Sequence, residues 1–326
     1  MSNIPEISIC LPVFNSAERI DRCLRAVLAQ NPPSREILLV DNCSTDDTVA
    51  RARRLLAGIP GTRIVVNEKN LGRIENWNRC LELATGRYVK FALVNDVMLP
   101  GSAEMLLQAA RRHPGAVMIC SRLCQVAAVP EILQTVPANP PTEVLEPLGA
   151  WQRFSRQGND TGGLGGLLVR ADVIQRPPLR FRPDIPFWSD FYFAIELADR
   201  GQTVYLDADS YLFDLGVKER FSYADLKNYF QDGAACARAI AERLQKLGGA
   251  SQTAFEFLWR QYGAQTWNYN QKPLSPLATL RLFAGAGDYR FRAVKYVLAL
   301  RLREARQKVA HWGKRAAAKL GLGGSL

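Results

Sequence analysis

The first half of the chain alternates short apolar runs with segments in which apolar residues recur every three or four positions. The runs are rich in β-branched residues and predict strands, whereas the spaced segments predict amphipathic helices. The predicted strands are 7–14, 36–42, 63–68, 88–94 and 116–122, and the predicted helices are 16–30, 46–56, 73–84 and 101–112. Strands that alternate with helices in this way favour a parallel, doubly wound α/β sheet.

The second half has a less regular pattern. Residues 125–148 contain five prolines and no clear period, which predicts an irregular excursion over the sheet. A glycine-rich stretch then leads into an apolar run within 161–174, and a helix is predicted over 189–200 before a strand over 203–213. From about residue 222 onward the pattern is helical.

Composition narrows the chemistry that this chain performs. The 326 residues are 48% hydrophobic, enough for one large domain or two modest ones. With only two histidines, His113 and His311, a Ser-His-Asp triad or a histidine-based metal site is nearly excluded. Acid–base work therefore falls to carboxylates. The seven cysteines are scattered and predict buried, reduced thiols, as in a cytoplasmic protein. The N-terminus favours a first strand over a signal peptide.

Polar residues follow three of the predicted strands. Asn15 follows the first strand, Asp41 ends the second, and Asn95 with Asp96 follow the fourth. Because the carboxyl ends of parallel strands share one edge, these residues are expected to converge on one crevice. A carboxylate suits the N–H donors of a base, and hard oxygens suit Mg²⁺ or Mn²⁺. Each of these residues has a purely structural alternative role. Asp41 and Asp46 are also suited to bracing the next helix, and Asn95 with Asp96 to forming a simple turn.

Four spaced blocks resemble the family 2 glycosyltransferases of the GT-A fold. In chain order they are LPVFN, LLVDNCSTDDT, NLG with NWN and LATGRYVKF, and NDVMLP, and the resemblance covers roughly residues 5–215. It implies a Rossmann-like, mainly parallel sheet flanked by helices, in which a nucleotide-binding half merges with an acceptor half. It also implies inverting transfer of a sugar from a nucleotide-sugar donor to an acceptor hydroxyl.

The resemblance assigns roles on the nucleotide side. Pro12, Phe14 and Asn15 would line the nucleoside pocket, and Asp41 would contact the base. Arg73 would lie near the diphosphate or the base. The residues expected to brace the loop around Arg73 are Asn70 and Asn78.

The metal motif departs from the family pattern. Family members place a D-x-D or D-D pair before a turn that ends in proline, whereas this chain has Leu93-Val94-Asn95-Asp96. Only Asp96 keeps a charge, and Asn95 offers a weaker carbonyl oxygen. The expected cofactor, Mn²⁺ or Mg²⁺ held by Asn95 and Asp96, therefore has a reduced set of donors.

A second acidic position stands at the start of the helix predicted over 189–200. The family carries a Glu-Asp pair here and uses the Asp as general base, so the resemblance assigns this role to Asp190, with Ser189 in place of the Glu. An inverting transfer needs such a base to deprotonate the attacking hydroxyl. The alternative is an N-cap without catalytic duty. Trp188 is expected either to stack on an acceptor sugar or to pack in the core.

Two further groups are candidates for acceptor or diphosphate contacts. Gly163, in a run of four glycines over 162–166, allows close approach of donor or acceptor, or else forms a flexible turn. After the last strand, the family's aromatic-Arg-x-His pattern is replaced by Phe213-Asp214-Leu215-Gly216. Lys218 and Arg220 follow and suit neutralisation of the leaving diphosphate, or a solvated loop.

The charge is concentrated at the end of the chain. Residues 289–326 hold ten basic residues and a single acid, +9 of the net +11. Apolar residues recur there at helical spacing beside Trp312, which predicts a basic amphipathic tail over 289–320 that binds an anionic membrane surface. A helix packed on the domain is the alternative. No nucleic-acid partner is expected.

These observations predict a GT-A domain over 1–220, with a nucleotide-sugar half (1–122) and an acceptor half (123–220). A helical region with the basic tail follows over 221–326. The expected function is that of a cytoplasmic enzyme, peripheral at the inner face of the membrane. It would add sugars to a glycan or lipid-linked acceptor in cell-surface polysaccharide synthesis, with a UDP-sugar as first choice of donor. The alternative is a catalytically silent nucleotide-binding or scaffold protein, which would bind a donor without turnover.

Overall fold

A computed structural model describes most of the first two thirds of the chain and short pieces beyond it. The described ranges are 4–30, 32, 34–126, 128–157, 163–214, 232–233, 235–236, 239–240 and 242–246. Lys218, Arg220 and the tail 289–320 lie outside these residues. The proposed boundary at residue 220 and the helical region after it therefore stay predictions.

The described residues form nine strands in one sheet and eight helices. The strands are β1 (Ile7–Val13), β2 (Arg35–Asp41), β3 (Thr62–Val66), β4 (Tyr88–Phe91), β5 (Asp96–Met98), β6 (Ala116–Val126), β7 (Thr142–Leu145), β8 (Leu167–Arg170) and β9 (Gln202–Asp214). The helices are α1 (Ile20–Leu28), α2 (Thr48–Leu56), α3 (Arg73–Leu83), α4 (Ser102–Arg112), α5 (Pro147–Gln157), α6 (Gly163–Gly166), α7 (Ala171–Gln175) and α8 (Ser189–Ala198). No helix among the described residues is long and apolar enough to cross a membrane.

The sheet has the order β3-β2-β1-β4-β8-β6-β9-β5, and β7 pairs with β9. Strands β3, β2, β1 and β4 are parallel, as are β6 and β9, whereas β8, β5 and β7 run antiparallel to their neighbours. The mainly parallel α/β sheet is confirmed, and each antiparallel pair includes a strand from residue 142 onward. In register, Val13 pairs with Asp41 and Asp41 with Val66, so three loops leave the sheet side by side.

Two cores cover the two faces of the sheet. Ile9 and Leu11 of β1 pack in one core with α1, α2 and α4, whereas Cys10 faces the other, with α3, α5, α7 and α8. All seven residues of β1 are buried, as expected for a strand covered on both faces. Burial on both faces explains why the strands read as continuous apolar runs rather than as alternating patterns.

Two helices begin later than their sequence pattern predicts. Helix α1 begins at Ile20 rather than 16, and α2 at Thr48 rather than 46. The residues before them bond to each other instead: the Ser16 N–H donates to Thr48 Oγ1 (2.6 Å), and the Ala17 N–H donates to Asp46 Oδ2 (3.0 Å). The proline-rich segment 125–148 is also more regular than predicted, because it contains strand β7, which pairs with β9.

Candidate active site

The loops after β1 and β2 are bonded to each other at the carboxyl edge of the sheet. Asn15 has a left-handed backbone (φ 44°), which asparagine tolerates better than most residues. Its Oδ1 accepts from the Thr45 N–H (2.9 Å), and its own N–H donates to Ser44 Oγ (2.8 Å). Beside it, Phe14 is 44% exposed, so this ring is available to a ligand, whereas Pro12 is buried within β1.

Asp41 is buried, and its carboxylate closes the loop that follows β2. Oδ2 accepts from the Ser44 N–H (2.8 Å), and Oδ1 accepts from the Ser44 hydroxyl (2.5 Å). Asp46 does the same for α2, since its Oδ1 accepts from the Thr48 N–H (3.0 Å). These contacts match the bracing alternative. Contact between Asp41 and a base stays a prediction, because each carboxylate oxygen can accept a second hydrogen bond.

A network of asparagines holds the loop that precedes α3. Asn42 Oδ1 accepts from the Leu71 N–H (2.8 Å) and from Asn67 Nδ2 (3.2 Å), and Asn42 Nδ2 donates to Asn70 Oδ1 (2.8 Å). Asn67 Nδ2 also donates to Asn76 Oδ1 (2.9 Å). The expected bracing role of Asn70 matches these contacts. Sequence reasoning missed the other asparagines, although Asn42 and Asn67 directly follow apolar strands.

Asn78 holds a different part of the molecule from the one expected. Its Oδ1 accepts from the Phe181 N–H (2.8 Å) and its Nδ2 donates to the Phe181 carbonyl (3.0 Å). It therefore ties α3 to the segment before α8 rather than to the loop around Arg73. The expectation from the family pattern is corrected here, because the side chain lies one helical turn beyond that loop.

Arg73 links the nucleotide side of the edge to the acidic position on α8. Its Nη2 donates to the Pro186 carbonyl (2.6 Å), and its guanidinium lies 5.4 Å from the centre of the Trp77 ring. Its positive charge also lowers the pKa of Asp190. Arg73 is thus positioned by α3 and by the segment that leads into α8.

Asp190 lies in the first turn of α8, and its side chain is partly exposed. Burial raises the pKa of this carboxyl, although the Phe191 N–H, which donates to Oδ1 (2.8 Å), and the Arg73 charge both lower it. A Cβ added to Gly163 would lie 3.5 Å from Oδ2, so the glycine turn packs directly over the carboxylate. The N-cap alternative does not hold, since Trp188 occupies the N-cap position of α8.

Trp188 belongs to the core, and the expected stacking platform for a sugar is corrected. The side chain is 4% exposed, its ring centroid lies 5.8 Å from that of Phe191, and Gly233 packs over it. Ser189 is equally buried, and its hydroxyl accepts from the Arg182 N–H (2.7 Å). Both side chains position the start of α8 instead of meeting a ligand.

A buried charged cluster lies beneath the glycine turn of α6. Lys90, from β4, is 1% exposed and donates to the Gly165 carbonyl, and its Nζ lies 5.8 Å from the centre of the Tyr211 ring. Burial lowers the pKa of Lys90 to about 7 and raises that of Asp96 to about 7, while the opposite charge of each partner works against its shift. Burial also raises the pKa of the Tyr211 hydroxyl.

The glycines of α6 allow its backbone to pack closely against this cluster. A Cβ on Gly165 would lie 2.9 Å from Asp96 Oδ2 and 2.9 Å from Cζ of Tyr211, so only glycine fits. The close approach expected for donor or acceptor is made here by the protein's own side chains. Sequence reasoning missed Lys90 and Tyr211; the one signal was a lysine inside an otherwise apolar strand.

The expected metal ligands do not fit a divalent ion. Asn95 Oδ1 accepts from Arg19 Nη1 (3.3 Å), so a cation already occupies its oxygen. Asp96 is 6% exposed and lies beside Lys90. No group of three or more His, Cys, Asp or Glu side chains suited to a metal occurs among the described residues. Mg²⁺ is usually held by one or two carboxylates together with substrate phosphates and water, and the one carboxylate of this pair is buried beside a lysine.

Comparison with known proteins agrees with this architecture. Residues 8–143 match the family model "Glycosyl transferase family 2". The protein MT1568 of Mycobacterium tuberculosis is 42% identical over 102 residues, 31% of each chain. The glycosyltransferase YibD of Escherichia coli is 26% identical over 206 residues, 59% of this chain and 58% of YibD. TuaG of Bacillus subtilis, a putative teichuronic acid biosynthesis glycosyltransferase, is 26% identical over 62% of this chain and 75% of its own.

Solved structures show the same fold. TarS 1–349 of S. aureus in complex with UDP-GlcNAc superimposes with a TM-score of 0.57 at 16% identity, covering 91% of this chain and 92% of TarS 1–349. The mannosyltransferase PcManGT of Pyrobaculum calidifontis, in complex with GDP-Man and Mn²⁺, has a TM-score of 0.52 at 18% identity, covering 98% and 87%. Residues 8–143 therefore resemble the family 2 glycosyltransferases, and the chain has the GT-A fold. It spans about a third and three fifths of MT1568 and YibD, respectively.

Proposed function

We propose that the chain transfers a sugar, with inversion, from a nucleoside-diphosphate sugar to a hydroxyl of a glycan or lipid-linked acceptor. The observation that carries the proposal is Asp190, a partly exposed residue whose carboxyl has a pKa raised by burial. Arg73 begins α3 and bonds to the Pro186 carbonyl just before α8, so its charge lies near Asp190. The family match of residues 8–143 and the nucleotide-sugar complexes of two structural neighbours support the same reaction class.

Asp190 acts as the general base in this reaction. The acceptor hydroxyl gives its proton to the Asp190 carboxylate as it attacks the anomeric carbon opposite the leaving diphosphate. A base works best when its pKa approaches the working pH, so the raised pKa of Asp190 suits the role. The backbone bond from Phe191 fixes Oδ1 and orients the carboxylate.

Positive charge is needed where the diphosphate leaves. Arg73 is the cation beside Asp190, and its guanidinium presents several donors in a fixed fork. Lys218 and Arg220, beyond the described residues, are proposed to add charge at the same stage. Stabilisation of a developing anion by such donors is usually a large part of catalysis.

The donor and acceptor are proposed from the relatives. A UDP-sugar is the first choice because TarS 1–349 was solved with UDP-GlcNAc, and GDP-sugars are the next choice because PcManGT holds GDP-Man. A cell-surface polysaccharide as acceptor follows from TuaG. The basic tail over 289–320 is proposed to hold the enzyme at the inner face of the cytoplasmic membrane through anionic lipids.

The test compares Asp190→Asn with wild type in a transfer assay over a panel of UDP-, GDP- and TDP-sugars. Loss of a general base is expected to lower kcat by about 10²–10⁴-fold, with little change in UDP binding. Asp172→Asn is the matched control, since this carboxylate also lies in a helical first turn but its side chain is 71% exposed. Unchanged transfer by Asp190→Asn would contradict the base role.

The same assay separates enzyme from scaffold. Turnover of any donor by the wild-type chain supports the transferase. Nucleotide binding without transfer or donor hydrolysis across the whole panel favours the catalytically silent alternative.

A further inference from the structure

We infer that Arg19 binds the donor diphosphate in place of a divalent ion, so that nucleotide binding is independent of metal. The inference rests on the proposed function, because it assigns the diphosphate contact of that donor. The inference starts from a change of charge at the carboxyl edge of the sheet. Asn95 replaces an acidic residue of the family motif, and the Arg19 guanidinium contacts it.

Arg19 bridges two loops of the nucleotide side. It directly precedes α1, and its Nη1 donates to Asn95 Oδ1 (3.3 Å) in the turn between β4 and β5. That turn is held in place, since the Asp96 N–H donates to the Leu93 carbonyl (2.9 Å) and Cys23 Sγ lies 3.6 Å from the same oxygen. The guanidinium is thus positioned between the ends of β1 and β4, where a ligand of a parallel sheet binds.

The same contacts leave no favourable place for a divalent ion. An ion at the Asn95 oxygen would stand against the Arg19 guanidinium, and like charges at such distances repel strongly when partly shielded from water. Asp96 is packed against Gly165 and Lys90. Leu93, which begins the segment that replaces the acidic motif, has no side-chain oxygen that could bind a metal ion. The acidic motif therefore retains a single carboxyl, that of Asp96, and this carboxyl is buried.

Arg19 retains the capacity to bind an anion. A guanidinium has five N–H donors, and the one hydrogen bond recorded for it within the described residues goes to a neutral amide. No carboxylate of the described residues forms a salt bridge with it. Arg22, one turn further along α1, differs, because its Nη1 pairs with Asp214 Oδ2 (2.9 Å). A half-buried guanidinium without a counterion is suited to a phosphate, which it can bind through two parallel hydrogen bonds.

Calorimetric titration of the full chain with UDP, GDP and TDP, once in EDTA and once in Mn²⁺, tests the inference. Wild type is expected to bind one of them equally tightly in both conditions. Arg19→Ala is expected to weaken that binding in EDTA by about tenfold or more, the usual loss for a hydrogen bond to a charged group. Arg19→Lys should recover part of it. Arg25→Ala is the control, since Arg25 is an exposed arginine on the same helix.

Asn95→Asp sharpens the test. The new carboxylate would pair with Arg19 and weaken nucleotide binding in EDTA, whereas a latent metal site would instead gain Mn²⁺-dependent affinity. Binding that EDTA abolishes, or that Arg19→Ala leaves unchanged, would overturn the inference while leaving the proposed function intact. If none of the three nucleotides binds in either condition, the proposed function fails as well. Circular dichroism of each variant verifies that it is folded.

Discussion

Two neighbouring regions of the sheet accommodate buried polar groups in different ways. The nucleotide-side loops, residues 14–17, 41–48 and 67–73, are filled with amide and hydroxyl groups that bond to one another at 2.5–3.2 Å. The buried charged cluster, Lys90, Asp96, Gly165 and Tyr211, holds two charges in the interior. One carboxylate oxygen of Asp96 has no hydrogen-bond partner in the part of the chain that the structure describes.

The difference lies in how each region is assembled. In the nucleotide-side loops, the partners are mostly neutral and satisfy each other, and hydrogen bonds from Thr48 and Ala17 outweigh burial and lower the pKa of Asp46. In the buried charged cluster, low polarity penalises each charged form, so the pKa values of Lys90 and Asp96 move toward each other. Hydrogen bonds thus favour the charged carboxylate in the nucleotide-side loops, whereas burial disfavours the charged forms in the buried charged cluster.

The largest expected effect comes from breaking the close packing of the buried charged cluster. In Gly165→Ala, the new Cβ would lie within 3.0 Å of Asp96 and of the Tyr211 ring. Overpacking of a full interior costs about 3 kcal/mol at the upper end, and we expect a loss of that size in the free energy of unfolding, measured by urea denaturation. At the control site, Gly115→Ala, the Cβ meets only the end of the Gln202 side chain. Equal stability of the two variants would mean that the cluster is loosely packed.

A smaller effect is expected in the nucleotide-side loops. Asn42→Ala removes a side chain that accepts from Asn67 and Leu71 and donates to Asn70, so the buried Asn67 amide loses one of its two acceptors. The expected loss is about 2 kcal/mol in the free energy of unfolding, together with weaker UDP binding. Thermal and urea denaturation measure the first quantity and calorimetry the second. A variant with wild-type stability and affinity would show that the network does not hold this side of the edge.

The smallest effect is a shift in the pH profile of Arg73→Met, separate from the loss of kcat expected from the proposed role of Arg73 at the leaving diphosphate. Arg73→Met removes the positive charge that lowers the pKa of Asp190, so this pKa should rise further. The base must be ionised to act, and activity falls as the pH drops through its pKa. The acid limb of kcat/KM against pH should therefore move to higher pH.

Arg79→Met is the matched control for this shift. Arg79 lies on the same helix, its side chain is 43% exposed, and it pairs with Glu82 instead of approaching Asp190. Its pH profile should match that of wild type. An acid limb that stays in place in Arg73→Met would mean that Arg73 does not act electrostatically on Asp190.

The parts of the site that follow from local spacing were predictable. Asp41 ends β2 and Asn15 follows β1 closely, and the register of β1 with β2 brings their loops together as expected. Trp188 was not predictable in this way, because Gly233, which packs over it, is distant along the chain. Asn78 was misassigned for a similar reason, since its partner Phe181 is more than a hundred residues away.

The sequence by itself determined the alternation of strands and helices, the mainly parallel sheet and the edge on which its polar loops meet. These follow from apolar periodicity and strand order, which are properties of neighbouring residues. Only the tertiary structure decided that Asp96 faces a buried lysine, that Asn95 faces Arg19 and that Asp190 has a raised pKa. Those outcomes depend on burial and on charges brought from distant segments, and the strength of such interactions is set by the local exclusion of water.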